Sequence, residues 1–203
     1  MNYLRKLLVD ELEDLYHAEK QLIKALPKLA AAAQSDELVN SFEDHLQETQ
    51  THVERIESVF KALGEVPKTK TCKAMQGLVA EGEEIMSEHK GSPSLDAALI
   101  CTAQKVEHYE IASYGCLCTW SRCLSEQEAL QLLEETLEEE KSANEKLTQI
   151  AEALSNEEAL DSDEEAPSPR GQKKRWDAMH SQSQRPRGRP RKMALQPSGE
   201  DDE

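Results

Sequence analysis

Aromatic side chains are scarce in this chain of 203 residues, with two phenylalanines, two tryptophans and four tyrosines. Glycine and proline are equally thin, at eight each. A β-sandwich needs frequent turns and many aromatic or β-branched side chains, so these shortages exclude it and leave an all-α reading. No apolar run approaches the roughly 18 residues of a membrane span, and the N-terminal MNYLRKLLVDELEDLY carries acids where a signal peptide would be apolar. The expected setting is therefore cytoplasmic, with no membrane partner. The five cysteines (72, 101, 116, 118 and 123) are an odd number, four of them within one predicted helix. That suits reduced, mostly packed thiols rather than a disulfide framework. Cys116 and Cys118 point roughly 200° apart on a helix, which makes a poor chelate.

Acid is plentiful. The formal net charge is −16 at pH 7, and it is unevenly spread. Residues 1–155 carry 15 basic and 29 acidic side chains, whereas residues 169–194 carry nine basic and one acidic. The average thus conceals a basic segment, and the segment rather than the average decides which partners are open to the chain.

Proline and glycine divide residues 1–155 into helical segments. The first runs from Asn2 to about Gln34, with a kink expected at Pro27, and Ser35 caps the second, Asp36 to Leu63, which stops at Gly64. A shorter third spans Cys72 to His89. The fourth opens on Ser92-Pro93 and continues to about Cys123; the fifth opens on a capping box, Ser125-x-x-Glu128, and continues to about Ser155. Four long amphipathic helices and a short one predict a bundle. Residues 156–184 lose all apolar periodicity and read as a disordered linker, followed by a basic run at 185–192 and an acidic, disordered terminus at 193–203.

The apolar stripes are interrupted at mid-helix. In the first helix Leu12, Glu19 and Leu26 share a face flanked by Leu15 and Leu22. In the fourth, Ala97, Ile100, Gln104, Glu107, Ile111, Tyr114 and Cys118 form the stripe, and in the fifth Leu130, Leu133, Leu137, Glu140, Asn144, Leu147 and Ala151. The second helix gives Val39, Phe42, Leu46, Thr49, Val53, Ile56 and Phe60, with His45, Glu48 and His52 beside Thr49. Three helices therefore place a carboxylate at the same height of an antiparallel bundle. Buried carboxylates repel and resist desolvation, and a pair of divalent cations is a known way to compensate them in bundles. The match to single glutamates plus two Glu-x-x-His pairs is partial. Glu107 and Glu110 give Glu-x-x-Glu, Thr51 stands three residues after Glu48, and Ala143 stands three residues after Glu140.

The stretches Leu12-Glu-Asp-Leu-Tyr-His-Ala-Glu-Lys-Gln-Leu, His45-Leu-Gln-Glu-Thr, Gln104-Lys-Val-Glu-His-Tyr-Glu-Ile-Ala-Ser-Tyr-Gly and Glu135-Thr-Leu-Glu-Glu-Glu-Lys resemble the YciE/YciF family of bacterial ferritin-like proteins. The resemblance spans residues 1–155. It implies a ferritin-like four-helix bundle with an additional shorter helix, a dinuclear metal site of iron, with manganese as the other candidate, a homodimer, and a link to bacterial stress responses. It carries over Glu19, Glu48, Glu107, Glu110 and Glu140 as ligands, with His52 beside them. It does not supply a reaction. Tyr16, three residues before Glu19, and Tyr109, beside Glu110, are expected either to partner the site or to pack in the core.

In the basic tail, Arg187-Gly-Arg-Pro190 within Arg185-Pro-Arg-Gly-Arg-Pro-Arg-Lys192 looks like an AT-hook. Gly188 lets the backbone lie on the floor of a narrow groove and Pro190 favours an extended chain. Arg187 and Arg189 suit the negative potential of an A/T-rich minor groove, and Arg185, Arg191 and Lys192 suit phosphates. The expectation is a metal-binding protein tethered to A/T-rich double-stranded DNA in the nucleoid, handling iron or peroxide there. Two other functions remain open: an architectural DNA-binding protein whose bundle only dimerises, and a di-iron oxidase or peroxidase localised to DNA.

Overall fold

The computed structural model describes residues 2–155. Five α-helices occur among them: α1 (Tyr3–Ala32), α2 (Asp36–Ala62), α3 (Lys73–Glu88), α4 (Leu95–Leu124) and α5 (Gln127–Ile150), closed by a π-helical turn, Ala151–Ser155. The linker, the AT-hook-like run from Arg185 to Lys192 and the acidic terminus lie outside the described residues.

Local chemistry sets the ends of the helices. The Asn2 side chain accepts from Leu4 N at 2.9 Å and Ser35 Oγ from Leu38 N at 3.1 Å, each satisfying an amide that the first helical turn leaves without a partner. Gly64 closes α2 at φ +70°, where the Glu65 amide donates to the Phe60 carbonyl at 2.8 Å. Ser125 was expected to open α5, but it closes α4. Its φ of +61° is left-handed, the Glu126 amide donates to the Ser121 carbonyl at 3.0 Å, and α5 starts only at Gln127. A residue bent into that conformation cannot also take the extended one that a capping box requires. The fourth helix likewise begins at Leu95, behind a turn in which Ser92 Oγ accepts from Ser94 N. α1 runs through Pro27 as one element.

α1 packs against α2 and α4, α5 packs against α4 and α2, and α3 lies across α1 and α4. Tight turns join α1 to α2 and α4 to α5. The connection through α3 carries the chain from the first hairpin to the second, a two-hairpin bundle with one long crossover. Buried Asp96 fastens the hairpins together: its two oxygens accept from the Gln34 and Ser35 amides, both at 2.8 Å. One end of the core is built from Leu8, Leu12, Ile56, Phe60, Leu117 and Leu133, and the other from Leu26, Leu38, Phe42, Leu99, Leu147 and Ile150.

The buried face of α2 differs from the expected one. Leu38, Phe42, His45, Thr49, His52, Ile56 and Phe60 are buried, while Val39, Leu46 and Val53 are half-buried. The helix is turned so that two histidines, seven residues apart and hence on one face, enter the middle of the bundle. All five cysteines are free; Cys72 and Cys118 are buried, whereas Cys101, Cys116 and Cys123 are exposed.

Candidate metal centre

Between its two apolar ends the bundle has a polar layer. α1 contributes Glu19, α2 His45 and His52, α4 Glu107 and Glu110, and α5 Glu140, all of them buried. Each carboxylate lies on the inward stripe of its helix between apolar turns, as Glu19 lies between Leu15 and Leu22. The six side chains form two groups. His45, Glu107, Glu110 and Glu140 bring ligating atoms within 4.8 Å of one another, as do Glu19, His52 and Glu140. Glu140 belongs to both.

The distances between these groups are short, but hydrogen bonding is sparse. His52 Nδ1 lies 3.0 Å from Glu140 Oε1 and 3.8 Å from Glu19 Oε2, and His45 Nε2 lies 3.5 Å from Glu107 Oε1. Both oxygens of Glu110 and of Glu140, one each of Glu19 and Glu107, and both nitrogens of His45 are buried without a hydrogen-bond partner. Native interiors satisfy the great majority of such atoms, so a concentration of them at one height is informative. Burial pushes the Glu107 carboxyl up to about 8, and burial and neighbouring carboxylates push Glu19 and Glu110 above the usual carboxylate range. The carboxylates in turn overcome the opposing effect of burial on the imidazoles, raising His45 to about 9 and His52 to about 10. Without a cation, the layer holds protons that it would otherwise shed.

A surrounding shell orients these groups. The Tyr114 hydroxyl donates to Glu19 Oε1 at 2.5 Å, leaving Oε2 free toward the layer. On its outer side His52 Nε2 meets Glu139 Oε2 at 3.0 Å. Arg55 grips both Glu139 oxygens, at 2.5 and 3.1 Å, and donates to Thr136 Oγ1 at 2.6 Å. A carboxylate behind an imidazole fixes the tautomer that turns the other nitrogen toward a metal.

Glu48 takes the comparable outer position for His45. It lies 3.6 Å from His45 Nδ1 with its side chain half exposed, outside both groups, and the helix turn that buries His45 is what swings it out. His45, which the Glu-x-x-His template passes over, stands inside instead. Its signal was its seven-residue spacing from His52. Tyr16 bonds outward to Glu57 and Lys20, and Tyr109 to Asp14 and Cys72, so Tyr114 is the tyrosine that touches the layer.

The donor set fits hard or borderline divalent ions. Four carboxylates and two imidazoles suit iron or manganese, they balance the charge of two divalent cations, and the buried thiols stand apart. A two-hairpin helical bundle with a carboxylate and histidine layer across its middle is a ferritin-like protein with residues able to bind metal. The chain belongs to the family described as a domain of unknown function, DUF892, which matches residues 3–160. It is 45% identical to Protein YciF of Escherichia coli over 152 residues, covering 74% of this chain and 92% of that protein. Among solved structures it is similar to the E. coli stress protein YciF (TM-score 0.72, 45% identity, 74% of this chain and 96% of that one). It is similar to YcfI from Rhodopseudomonas palustris at the same TM-score and coverage with 42% identity. A Xanthomonas campestris protein follows at TM-score 0.58 and 26% identity, over 74% of this chain and 92% of that one. The family resemblance drawn from the sequence therefore holds over the bundle. Among the described residues no helix is long and apolar enough to cross a membrane.

Proposed function

We propose that the bundle binds a pair of divalent metal ions, iron first among them and manganese second, and that the C-terminal tail tethers this metal protein to A/T-rich DNA in the nucleoid. The observation that carries the metal half is the pair of donor groups sharing Glu140, with partnerless carboxylate oxygens facing one another at one height of the core. His45, Glu107 and Glu110 would hold one ion and Glu19 and His52 the other, with Glu140 between. A pair of irons would supply exchange between the ferrous and ferric states, with dioxygen or peroxide as oxidant. The chain's own part is to keep those ligands aimed and dry: Tyr114 holds Glu19, Arg55 and Glu139 hold His52, and the apolar layers above and below exclude bulk water.

The DNA half rests on the tail's sequence. Arg187 and Arg189 would enter the minor groove, Gly188 would let the backbone follow its floor, and Arg185, Arg191 and Lys192 would neutralise phosphates. A single hook binds weakly and with strong salt dependence, and a homodimer would present two, gaining through effective concentration.

Anaerobic addition of Fe(II) to chelator-stripped protein, followed by oxygen or peroxide, tests the metal half. Roughly two ions per chain are expected. Fewer than one, unchanged in Glu107→Ala, would leave the bundle as an association domain alone. Gel shifts on A/T-rich and G/C-rich duplexes test the tail; equal affinity, or no loss on replacing Arg187 and Arg189 by alanine, would reduce it to a nonspecific basic segment.

A further inference from the structure

A slot between α2 and α5 reaches the polar layer from the surface. It encloses about 60 Å³, and its inner wall includes His45 and Glu107. Leu22, Phe42, Val106 and Leu147 give it apolar sides. At its outer part Asp44 of α2 and Lys146 of α5 pair at 3.0 Å, both with their side chains about half exposed. Ala143 of α5 lines it, one helical turn beyond Glu140, on the same face of the helix as that carboxylate. The two-Glu-x-x-His arrangement of di-metal bundles would put an imidazole at that position. Here there is a methyl group, and the imidazole comes from His45 on the neighbouring helix. The space an inward-pointing side chain would fill is open.

We propose that this slot is the entrance through which an uncharged diatomic molecule, dioxygen by its chemistry, reaches the layer, and that Ala143 is the residue that keeps it open. The inference rests on the reading of the layer as a metal centre. Size and lining together select the ligand. The volume exceeds the roughly 10–15 Å³ that one water requires and falls well short of the ~300 Å³ at which organic ligands are usually taken. The apolar stretch of the lining favours an uncharged molecule over an anion, which would shed its hydration in passing it, and the carboxylates of Asp44, Glu48 and Glu107 on the same lining oppose an anion further.

Xenon and nitric oxide are suitable probes. Xenon is apolar and needs no metal, so a crystal of the metal-free full chain pressurised with xenon reads the slot alone; nitric oxide binding to the Fe(II)-loaded protein, followed optically in stopped flow, reads passage. Xenon is expected in the slot of the wild type and of Ala143→Gly and not in Ala143→Phe. The nitric oxide on-rate should fall about tenfold or more in Ala143→Phe at unchanged iron content. Ala143→Leu, a milder plug, should fall between, and Leu78→Phe, which fills the neighbouring apolar cavity between α1, α3 and α4 from its α3 side, should match the wild type. Absence of xenon from the wild-type slot, or an unchanged on-rate in Ala143→Phe with full iron, would overturn the proposal. Failure of the wild type to take up iron strikes the metal reading instead, and the xenon result stands apart from it.

Discussion

The two ends of the bundle and its middle are equally buried and chemically opposite. Leu8, Leu12 and Phe60 are 0% exposed, and so are Glu19, Glu110 and Glu140. At the ends, burial itself is the stabilising interaction: each large apolar side chain removed from water contributes roughly 1.5–3 kcal/mol. In the middle, burial costs free energy, because the carboxylates lose water and gain few hydrogen bonds in exchange. The same four helices carry both regions, so the ends must hold the helices together against the cost of burying the middle. Low solvent exposure therefore says nothing of whether a residue favours the fold.

The contrast predicts opposite signs for truncations a few turns apart. Phe60→Ala should destabilise the metal-free protein by about 3–5 kcal/mol, since it leaves a cavity among Ile56, Tyr16 and their neighbours. Denaturant melts check this; a loss under about 1 kcal/mol would mean that the apolar end is loosely packed. Glu110→Leu should stabilise the metal-free protein by about 1–3 kcal/mol, because it removes a buried carboxyl whose two oxygens have no hydrogen-bond partner. It should also abolish binding at the His45 group. A destabilised Glu110→Leu variant would mean that the carboxyl has a structural partner in solution.

The fold was legible because its signals are local and redundant. In α1, Leu12, Glu19 and Leu26 each lie between other leucines, so no rotation of the helix hides the line. In α2 the same reasoning favoured Val39, Leu46 and Val53, because aliphatic residues look like core and histidines look like surface. The structure instead buries His45 and His52 and exposes Glu48, since what decides the helix's rotation is the set of acids facing it from α1, α4 and α5. That information is not in α2's own sequence. Ser125 misled for a related reason: serine serves the start of one helix and, in the left-handed conformation, the end of the previous one, and the two-residue turn leaves room for one role.

Acidity sharpens the comparison without mutation. In the metal-free protein Glu107 is raised from near 4.5 to about 8, and His45 and His52 from near 6.5 to about 9 and 10. A group with a raised folded-state pKa binds more protons folded than unfolded between its two values, so stability falls as pH rises through that window. All three shifts have the same sign. The metal-free melting temperature should therefore drop between pH 5 and pH 9, whereas the metal-loaded protein, whose ligands have given up those protons, should gain over it progressively. Parallel curves for the two forms would contradict ligation by these groups.

A smaller effect is expected one shell out. Arg55→Met keeps much of the apolar stem and removes the grip on Glu139, so His52 is less firmly aimed. Metal affinity measured against a competing chelator should fall by about 10- to 100-fold, with stoichiometry retained. An unchanged affinity would mean that packing alone orients the imidazole.

The smallest expected effect belongs to the one buried polar residue in the middle of α2 that takes no part in the layer. Thr49 is fully buried between the two histidines, but its hydroxyl donates to the His45 carbonyl of its own helix at 2.8 Å, so its polarity is satisfied locally and contributes nothing to the layer. Thr49→Val keeps the branched shape, loses a hydrogen bond with a net contribution of about 1 kcal/mol and buries a methyl group in its place. Melting should stay within about 1 kcal/mol of the wild type and metal content should not change. If metal binding fell instead, the layer would depend on where the backbone of α2 holds His45, and the division between ends and middle would extend from side chains to the helix itself.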